Sequence, residues 1–490
     1  MFRVTLQPPK SIVESLKAEP AILLLTLAVY LLVGTLYAVE TPEWQVPDEP
    51  AHYNYVRQIA EGDLPEIELG DYDQQRLEAL LDNDFPPDQS IQWIEYEDHQ
   101  PPLYYLISSP MYMLSGGSLI AQRVFSLVVG AITILFAYLL LVELFPNRPL
   151  ILAFALGLVS LIPQHVAMMA GVNNDSLAEV IVVASLYLAM RLIRSESPPS
   201  PFVYCLVLTM AFLTKVQSFV VAPVFLAAII TRYLQNSHTR KWLTKWLLYV
   251  FGISIMIAAL WWARNIATYG GTDLLGLGKH DVVVTGQPTT EYWIRTYGLS
   301  STLERFATFT FQSFWGMFGW MAVPMSPRVY QVLAIASSVI LSATALWFLD
   351  EVRSKRLFRG ENALIWLLLL SLAITSAGYL WWNISYVQHQ GRYLYPALVP
   401  IAVFVGIGFE SLFEMRTAKK VAAVMAILTL VTVVMRSRFM SVSLALSVLV
   451  IYALPRVPSR WRRLISYSVT MALGAFAAAA LIWFVIPNLG

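Results

Sequence analysis

Long apolar runs recur along the whole chain and restrict its possible folds more than any other feature of the sequence. About thirteen runs approach the roughly 18–25 residues that a helix needs to cross a bilayer; they lie near 20–39, 121–144, 149–168, 175–193, 202–214, 217–234, 246–264, 328–349, 362–382, 393–413, 420–435, 440–454 and 465–486. Hydrophobic residues make up 57% of the chain and charged residues 13%, too few charges for a soluble surface. The sequence therefore predicts an all-α polytopic membrane protein.

Basic residues cluster in the short segments between alternate runs, and this asymmetry predicts the orientation of the chain. With a cytoplasmic N-terminus, most of the 33 basic residues fall in cytoplasmic segments: Arg3, Lys10, Lys17, Arg148, Arg191, Arg194, Arg232, Arg240, Lys241, Lys245, Arg353, Lys355, Arg356, Arg359, Arg416, Lys419, Lys420, Arg456, Arg460, Arg462 and Arg463. No cleavable signal is evident, and the first run has the length of a retained anchor. We predict a multi-pass plasma (inner) membrane protein whose loop 41–120 is extracytoplasmic.

The first long loop is strongly acidic, since segment 41–100 holds half of the 32 acidic residues but only Arg57 and Arg76 as basic ones. A second outer segment, 265–327, is rich in aromatic residues and glycine. Its stretch from Phe309 to Trp320 is typical of an amphipathic segment at the membrane surface. The net charge of +1 gives no sign of a nucleic-acid partner.

Polar residues near the outer ends of the predicted spans are the candidates for chemistry, because ionisable groups close to lipid are costly and usually functional. Asp48 can cap the helix that starts with Pro50. Asp48 or Glu49 would then lie near His52, which suits either a base with its orienting partner or a set of metal ligands. The structural alternative is a plain helix cap beside a surface histidine.

A second group precedes the helix that follows Pro101 and Pro102, where His99 and Gln100 would be held in place or, alternatively, simply solvated. In the outer turn at 171–176, Asp175 or Ser176 is an adequate helix cap. Asn173 and Asn174 in the same turn could face a polar ligand.

Three basic residues complete the candidates. Lys215 stands alone between apolar runs, where it either reaches the headgroups or contacts an anionic ligand. Arg264 follows two tryptophans that read as interfacial anchors. Arg392 begins a run after Gln388, His389 and Gln390, and its planar guanidinium suits phosphate oxygens.

One type of reaction connects these groups. The acidic loop would repel an anionic substrate, so a phosphate would need Arg392, Lys215 or a divalent cation near it. A carboxylate could then deprotonate an acceptor hydroxyl, an effect worth roughly 10²–10⁴ in rate, while the cations stabilise a phosphate leaving group.

At this point the sequence resembles the GT-C superfamily of membrane glycosyltransferases that use polyprenyl-phosphate sugars, such as the protein O-mannosyltransferases and the aminoarabinose transferase of lipid A. It looks closest to a bacterial branch with a PDEPAHY-type first loop. The stretches that carry the resemblance are PDEPAHYNYVRQIAEGDLP (47–65), HQPPLYYLISSPMYMLSG (99–116), AQRVFSLVVGA (121–131), NNDSLA (173–178), LTKVQSFVVAP (213–223), SFWGMFGW (313–320) and HQGRYLYPAL (389–398).

The resemblance implies a GT-C-like catalytic module at 1–415, with outer loops 41–120 and 265–327 and amphipathic surface helices in the first loop; 416–490 would be packing helices. It implies a catalytic Asp48 with Glu49 as its neighbour, and a lipid-phosphate site at Arg392 with Lys215 and Arg123 behind it. We predict that Asp48 is the general base and that Glu49 and His52 assist it. Substrate contacts would come from His99, Gln100, Tyr104, Arg123, Asn174, Asp175, Lys215, Arg264, His389, Gln390, Arg392 and Tyr393. A divalent metal ion on Asp48, His52 and His99 is left open.

The sequence thus predicts an inverting glycosyltransferase with a polyprenyl-phosphate-linked sugar donor and a cell-envelope lipid, glycan or protein as acceptor. One alternative is a ligase or polymerase of lipid-linked glycans. Another is a transporter or flippase, which would need charged groups or broken helices within the bilayer. Pro163 and His165 are the nearest candidates for such a break.

Overall fold

The computed structural model describes residues 11–235, 239–355 and 363–489, so the basic residues Arg3, Lys10, Arg356 and Arg359 lie outside the described ranges. In chain order the α-helices are α1 (Ile12–Leu16), α2 (Pro20–Glu40), α3 (Glu49–Glu61), α4 (Gln74–Asp82), α5 (Leu103–Ser115), α6 (Leu119–Leu144), α7 (Pro149–Leu161), α8 (Pro163–Met169), α9 (Asp175–Arg194), α10 (Pro201–Phe212), α11 (Val221–Gln235), α12 (Arg240–Leu247), α13 (Ile253–Tyr269), α14 (Leu277–Val283), α15 (Thr290–Tyr297), α16 (Leu299–Trp315), α17 (Pro327–Arg353), α18 (Ala363–Ser385), α19 (Leu398–Ser411), α20 (Met415–Val434), α21 (Arg438–Ala453), α22 (Arg462–Ala480) and α23 (Ile486–Leu489). Two short strands, β1 (Met317–Phe318) and β2 (Val323–Pro324), form an antiparallel hairpin.

Eleven helical segments in the described ranges are long and apolar enough to cross a membrane, or twelve if α7 and α8 form one span. Helix α10 is apolar but has only 12 residues, fewer than a bilayer crossing needs. The all-α polytopic architecture predicted from the apolar runs is therefore confirmed. Helix α9 is central, since 89% of its most apolar part is buried, whereas the value for α21 is 11%.

Helices α7 and α8 meet at an angle of 55°. The break falls at Ile162, directly before Pro163. Proline has no N–H to donate to the preceding turn and its ring crowds that turn, so a continuous helix is interrupted here.

The two long loops pack against each other and form a small folded unit with its own apolar core. Ala51 of α3, Leu77 and Leu80 of α4, and Ile94 are buried together with Val283 and Val284 of the second loop. Helices α3 and α4 are amphipathic, as the resemblance implied for the first loop, and their apolar faces supply this core.

The second loop differs from its predicted form at its C-terminal end. Helix α16 ends at Trp315, and Phe318 and Trp320 lie in and beside the hairpin instead of in a continuous amphipathic segment at the membrane surface. Gly316 and Gly319 interrupt the helix, and Gly319 has a φ of +53°. Phe318 is buried against Tyr37, so this residue belongs to the interior.

Candidate active site

A cavity of about 720 Å³ lies between the two long loops and the adjoining ends of α9 and α18. The Asp, Glu, Lys and Arg side chains that line it are Asp48, Glu78, Glu97, Asp175, Lys215 and Arg392. Six glutamines also line it, namely Gln74, Gln100, Gln217, Gln287, Gln388 and Gln390. The cavity therefore combines ion pairs with an amide-rich wall.

Asp48 and Arg392 form an ion pair in this cavity. Arg392 Nη2 donates to Asp48 Oδ2 at 2.7 Å, and the Tyr96 hydroxyl donates to Asp48 Oδ1 at 2.8 Å. Burial alone would raise the pKa of the Asp48 carboxyl, but the charge of Arg392 and the hydrogen bonds from Arg392 and Tyr96 outweigh burial and lower this pKa. Asp48 is consequently a carboxylate at neutral pH.

The backbone at Asp48 explains why its carboxylate faces the cavity. Asp48 precedes α3 with a φ of +66° and its side chain makes no capping hydrogen bond, so the predicted cap is wrong. Its carbonyl accepts the N–H of His52 at 3.1 Å instead. A left-handed conformation is uncommon for a residue other than glycine and is found at sites where function repays the strain.

Arg392 is positioned by its neighbours in the 3-10 turn Gly391–Ala397. The Gly391 N–H donates to Ser313 Oγ at 2.7 Å, which holds the turn against α16. A Cβ at Gly391 would lie 2.3 Å from the Thr310 carbonyl oxygen, so only glycine permits this close approach.

A chain of amide hydrogen bonds links Arg392 to the second loop. Arg392 Nε donates to Gln390 Oε1 at 2.7 Å, and Gln390 Nε2 donates to Gln388 Oε1 at 2.8 Å. Gln388 Nε2 then donates to Gln287 Oε1 at 3.1 Å. Because a primary amide has two N–H donors and two acceptor lone pairs, each glutamine keeps hydrogen-bonding capacity beyond this chain.

Lys215 and Asp175 form the second ion pair of the cavity. Lys215 Nζ lies 2.6 Å from Asp175 Oδ1, with the lysine side chain 12% exposed. Neither the predicted cap role of Asp175 nor headgroup contact by Lys215 describes this arrangement, since each side chain is turned toward the other. Two cations are thus held near the same cavity by two carboxylates.

Glu49 and Arg123 lie outside the cavity and form a fully buried pair. Arg123 Nη2 donates to Glu49 Oε2 at 2.6 Å, and Arg123 Nε donates to Glu49 Oε1 at 2.8 Å. The remaining Arg123 donors bind the carbonyl oxygens of Ala38, Thr41 and Pro42. The structure therefore places both predicted site residues in the link between α2, α3 and α6, with no access to a substrate.

His52, His99, Gln100 and Tyr393 line the cavity as expected. His99 Nδ1 donates to the Tyr96 carbonyl at 3.1 Å, and its ring lies 4.6 Å from that of His280 in the second loop. Burial, followed by the nearby His280, lowers the pKa of His99 to about 3. His99 is therefore a neutral ring at neutral pH.

Four other predicted contacts are turned away from the cavity. Tyr104 is buried with its hydroxyl 2.7 Å from Ser126 Oγ, and Asn174 donates to the Tyr105 hydroxyl. Arg264 binds residues 65 and 66 of the first loop. His389 is buried edge-on against Phe306, because the alternating direction of residues 388, 389 and 390 points only the two glutamines into the cavity.

Sequence reasoning missed three residues that complete the site. Tyr96 donates a hydrogen bond to Asp48. Gln388 lies in the same motif as Gln390 and Arg392, and its spacing of two from Gln390 is the sequence signal for it. Gln287 had no local signal. The Thr289–Tyr386 backbone bridge and a hydrogen bond from Val387 N to the Pro288 carbonyl bring it to Gln388.

The predicted metal ligands Asp48, His52 and His99 do not assemble as a ligand set. Asp48 is engaged by Arg392 and Tyr96. The Nδ1 atoms of His52 and His99 contact the Tyr105 hydroxyl and the Tyr96 carbonyl, so each ring could reach a metal ion only through Nε2. No group of three or more His, Cys, Asp and Glu in the described ranges is arranged to hold a metal ion. A divalent metal ion at Asp48, His52 and His99 stays a prediction.

Comparison with known proteins gives both a family match and fold matches. Residues 99–262 match the family described as dolichyl-phosphate-mannose-protein mannosyltransferase. Crystal structures of ArnT from Cupriavidus metallidurans, in the apo state and bound to undecaprenyl phosphate, align with a TM-score of 0.50 and 14% identity over 95% of this chain and 77% of theirs. The apo oligosaccharyltransferase of Archaeoglobus fulgidus aligns with a TM-score of 0.48 and 12% identity, over 92% of this chain and 56% of that one.

No curated protein matches the sequence. The closer resemblance to a bacterial branch with a PDEPAHY-type loop stays a prediction. The helical architecture, the family match over residues 99–262 and the likeness to ArnT together confirm the broader resemblance: this chain has the GT-C fold of integral membrane glycosyltransferases.

Proposed function

We propose that the chain transfers a sugar from a polyprenyl-phosphate donor to a hydroxyl of a cell-envelope lipid, glycan or protein, with inversion at the anomeric carbon. The observation that carries the proposal is the Asp48–Arg392 pair, joined at 2.7 Å within a cavity that also holds Lys215. Two cations and the carboxylates that pair with them in one cavity match a reaction that removes a proton at one end and releases a phosphate at the other.

In the proposed step, a carboxylate oxygen of Asp48 takes the proton of the acceptor hydroxyl. The acceptor oxygen forms a bond to the anomeric carbon from the face opposite the phosphate. The bond between that carbon and the phosphate oxygen breaks, and its electron pair leaves with the polyprenyl phosphate. Arg392 and Lys215 stabilise the charge on the leaving phosphate.

The ion pair also suggests how a carboxylate with a lowered pKa can act as a base. A donor phosphate that binds Arg392 would draw the guanidinium charge toward itself. Asp48 would then lose part of the interaction that lowers its pKa, and its affinity for the acceptor proton would rise. Donor binding would thus precede proton removal.

The residues that line the cavity suit the two parts of such a donor. The hydrogen-bonded glutamines Gln287, Gln388 and Gln390 offer donors and acceptors to sugar hydroxyls. Ile374 and Trp381 of α18 also line the cavity, and Trp381 and Ile384 are 69% and 71% exposed. An apolar polyprenyl chain could therefore lie along α18 toward the membrane.

We further propose that the cavity faces the extracytoplasmic side of the plasma membrane, because the basic clusters lie in the segments at the other ends of the helices. The one cysteine, Cys205, is buried, so an introduced cysteine can report the orientation. A membrane-impermeant maleimide applied to intact cells should label Glu68→Cys in the first loop but not Lys419→Cys. The reverse pattern would refute this orientation.

Arg392→Ala should weaken donor binding by about 10- to 100-fold, because a hydrogen bond to a charged group contributes about 1.5–3 kcal/mol. The test uses purified protein in lipid nanodiscs and a panel of undecaprenyl-phosphate sugars, with release of undecaprenyl phosphate measured against donor concentration. Arg392→Lys should have a donor affinity between those of the wild type and Arg392→Ala, since lysine keeps the charge but lacks the planar guanidinium.

Arg295→Ala is the matched control for Arg392→Ala, because Arg295 is an arginine of the second loop whose side chain is 78% exposed. Its KM for the donor should equal that of the wild type. Equal donor KM values in Arg392→Ala and wild type would remove Arg392 from the phosphate site.

A transporter remains the second candidate because of one observation within the membrane. The bend between α7 and α8 carries His165, whose Nε2 lies 2.8 Å from Glu179 Oε2, and both side chains are buried. A broken helix with an ionisable pair is a feature of transport sites. If wild-type protein neither consumes nor binds any donor in the nanodisc assay, transport becomes the leading function.

A further inference from the structure

The side chain of His52 has two ring nitrogens, and the structure constrains which one carries the proton. His52 Nδ1 lies 2.8 Å from the Tyr105 hydroxyl. Asn174 Nδ2 lies 3.3 Å from the same hydroxyl. Tyr105, Asn174 and His52 are 0%, 0% and 3% exposed, so water does not compete for these hydrogen bonds.

The amide nitrogen of Asn174 can only donate, so the Tyr105 oxygen accepts that hydrogen bond. The hydroxyl proton of Tyr105 needs an acceptor of its own, since an unpaired buried hydroxyl is costly. Among the described residues, His52 Nδ1 is the acceptor within reach. Nδ1 is therefore unprotonated, and the proton of the neutral ring is on Nε2.

His52 stays neutral in this position. Burial lowers its pKa and Lys215 lowers it further, while the carboxylates of Glu97, Asp48 and Asp175 oppose the shift without cancelling it. Tyr55 stacks on Tyr105 with ring centroids 3.6 Å apart, which fixes the ring that holds His52. The tautomer is thus set by a rigid buried group.

The Nε2–H of His52 has no hydrogen-bond partner among the described residues, and His52 lines the cavity. Among the charged groups close enough to shift the pKa of His52 are Asp48, which is the proposed base, and Lys215, which is one of the proposed phosphate cations. A neutral N–H at this place can donate to an anionic oxygen. It cannot accept the acceptor's proton, because the accepting nitrogen is already used by Tyr105.

We infer that His52 donates a hydrogen bond from Nε2 to a phosphate oxygen of the donor lipid, and that Tyr105 is the positioning residue that holds it in this tautomer. The inference rests on the proposed function and deepens it. It replaces the roles of base partner and metal ligand that the sequence suggested for His52. The phosphate would then be bound by Arg392, Lys215 and a neutral donor.

The test measures binding of undecaprenyl phosphate itself, without turnover, to the full-length protein in nanodiscs. Fluorescence of Trp320 and Trp382, which line the cavity, is a suitable signal. His52→Ala should raise the Kd by about 10- to 100-fold, the effect of one hydrogen bond to a charged group. His52→Gln, whose amide nitrogen can take the place of Nε2, should restore most of the affinity, whereas His52→Asn should not.

The role of Tyr105 is tested by a double-mutant cycle. Tyr105→Phe should weaken binding in the wild-type background but not in the His52→Gln background, because a glutamine has no tautomer to hold. Equal losses in both backgrounds would show that Tyr105 only supports the fold. The adjacent Tyr104→Phe is the matched control, since the Tyr104 hydroxyl binds Ser126 outside the cavity.

The outcomes separate this inference from the proposed function. If wild type binds the lipid and His52→Ala binds it equally well, the inference is wrong and the proposed function stands. If His52→Gln is as weak as His52→Ala, the imidazole does more than donate, and the inference is also wrong. If wild type does not bind the lipid, the proposed function fails and takes the inference with it.

Discussion

Asp48→Asn should lower turnover by about 10²–10⁴, the contribution of a positioned general base. Asparagine keeps the size of the side chain and can still accept from Arg392 or Tyr96, but it cannot take a proton from the acceptor. Donor affinity should therefore persist, because Arg392 remains in the cavity. Release of undecaprenyl phosphate at saturating donor measures kcat directly, and titration with undecaprenyl phosphate measures binding.

The control for Asp48→Asn is Glu61→Gln, which neutralises a carboxylate of α3 whose side chain is 52% exposed and paired with Arg57. Its kcat should match that of the wild type. Turnover that is indifferent to Asp48→Asn would move the base to another carboxylate of the cavity, namely Glu78, Glu97 or Asp175.

Glu49→Gln should destabilise the protein by about 3–5 kcal/mol while leaving the chemistry of the surviving folded protein intact. Removing one partner of a buried ion pair leaves the other charge uncompensated. Here Arg123 is 1% exposed and Glu49 0%, so water cannot replace the lost carboxylate. Glu49 Oε1 also accepts the N–H of Val172 at 3.2 Å, which adds the turn before α9 to the affected region.

Thermal unfolding in nanodiscs measures this effect, and kcat per folded molecule separates stability from catalysis. Glu61→Gln again serves as the matched control, since an exposed pair contributes about 0–1 kcal/mol. A Glu49→Gln protein with wild-type stability and no turnover would restore Glu49 to the catalytic group. Loss of stability with near-normal kcat would confirm the structural role.

Asp48 and Glu49 also show how far local sequence can be interpreted. Both are consecutive carboxylates just before Pro50, and the pattern of the helix does not distinguish their roles. The left-handed turn at Asp48 sends one side chain into the cavity and the other into the bundle. That turn is held by contacts with distant residues, which a local pattern does not contain.

The basic residues also show that local sequence indicates where a side chain lies along a helix but not what it contacts. The resemblance implied substrate contacts for Arg392, Lys215 and Arg123, each of which is a cation near the outer end of a helix. Position along a helix is a local property and could be inferred from the sequence. Whether a guanidinium meets a cavity or a buried glutamate depends on the packing of α2, α3 and α6, so Arg123 was misassigned.

The sequence by itself determined that this chain crosses the membrane many times, because the length and apolarity of a span are properties of consecutive residues. It also placed the polar motifs at the helix ends where the cavity lies. Only the tertiary structure paired Asp48 with Arg392, which are 344 positions apart, and brought Gln287 to Gln388. Such pairs arise from helix packing and loop contacts, so the sequence pattern around each residue does not predict its partner.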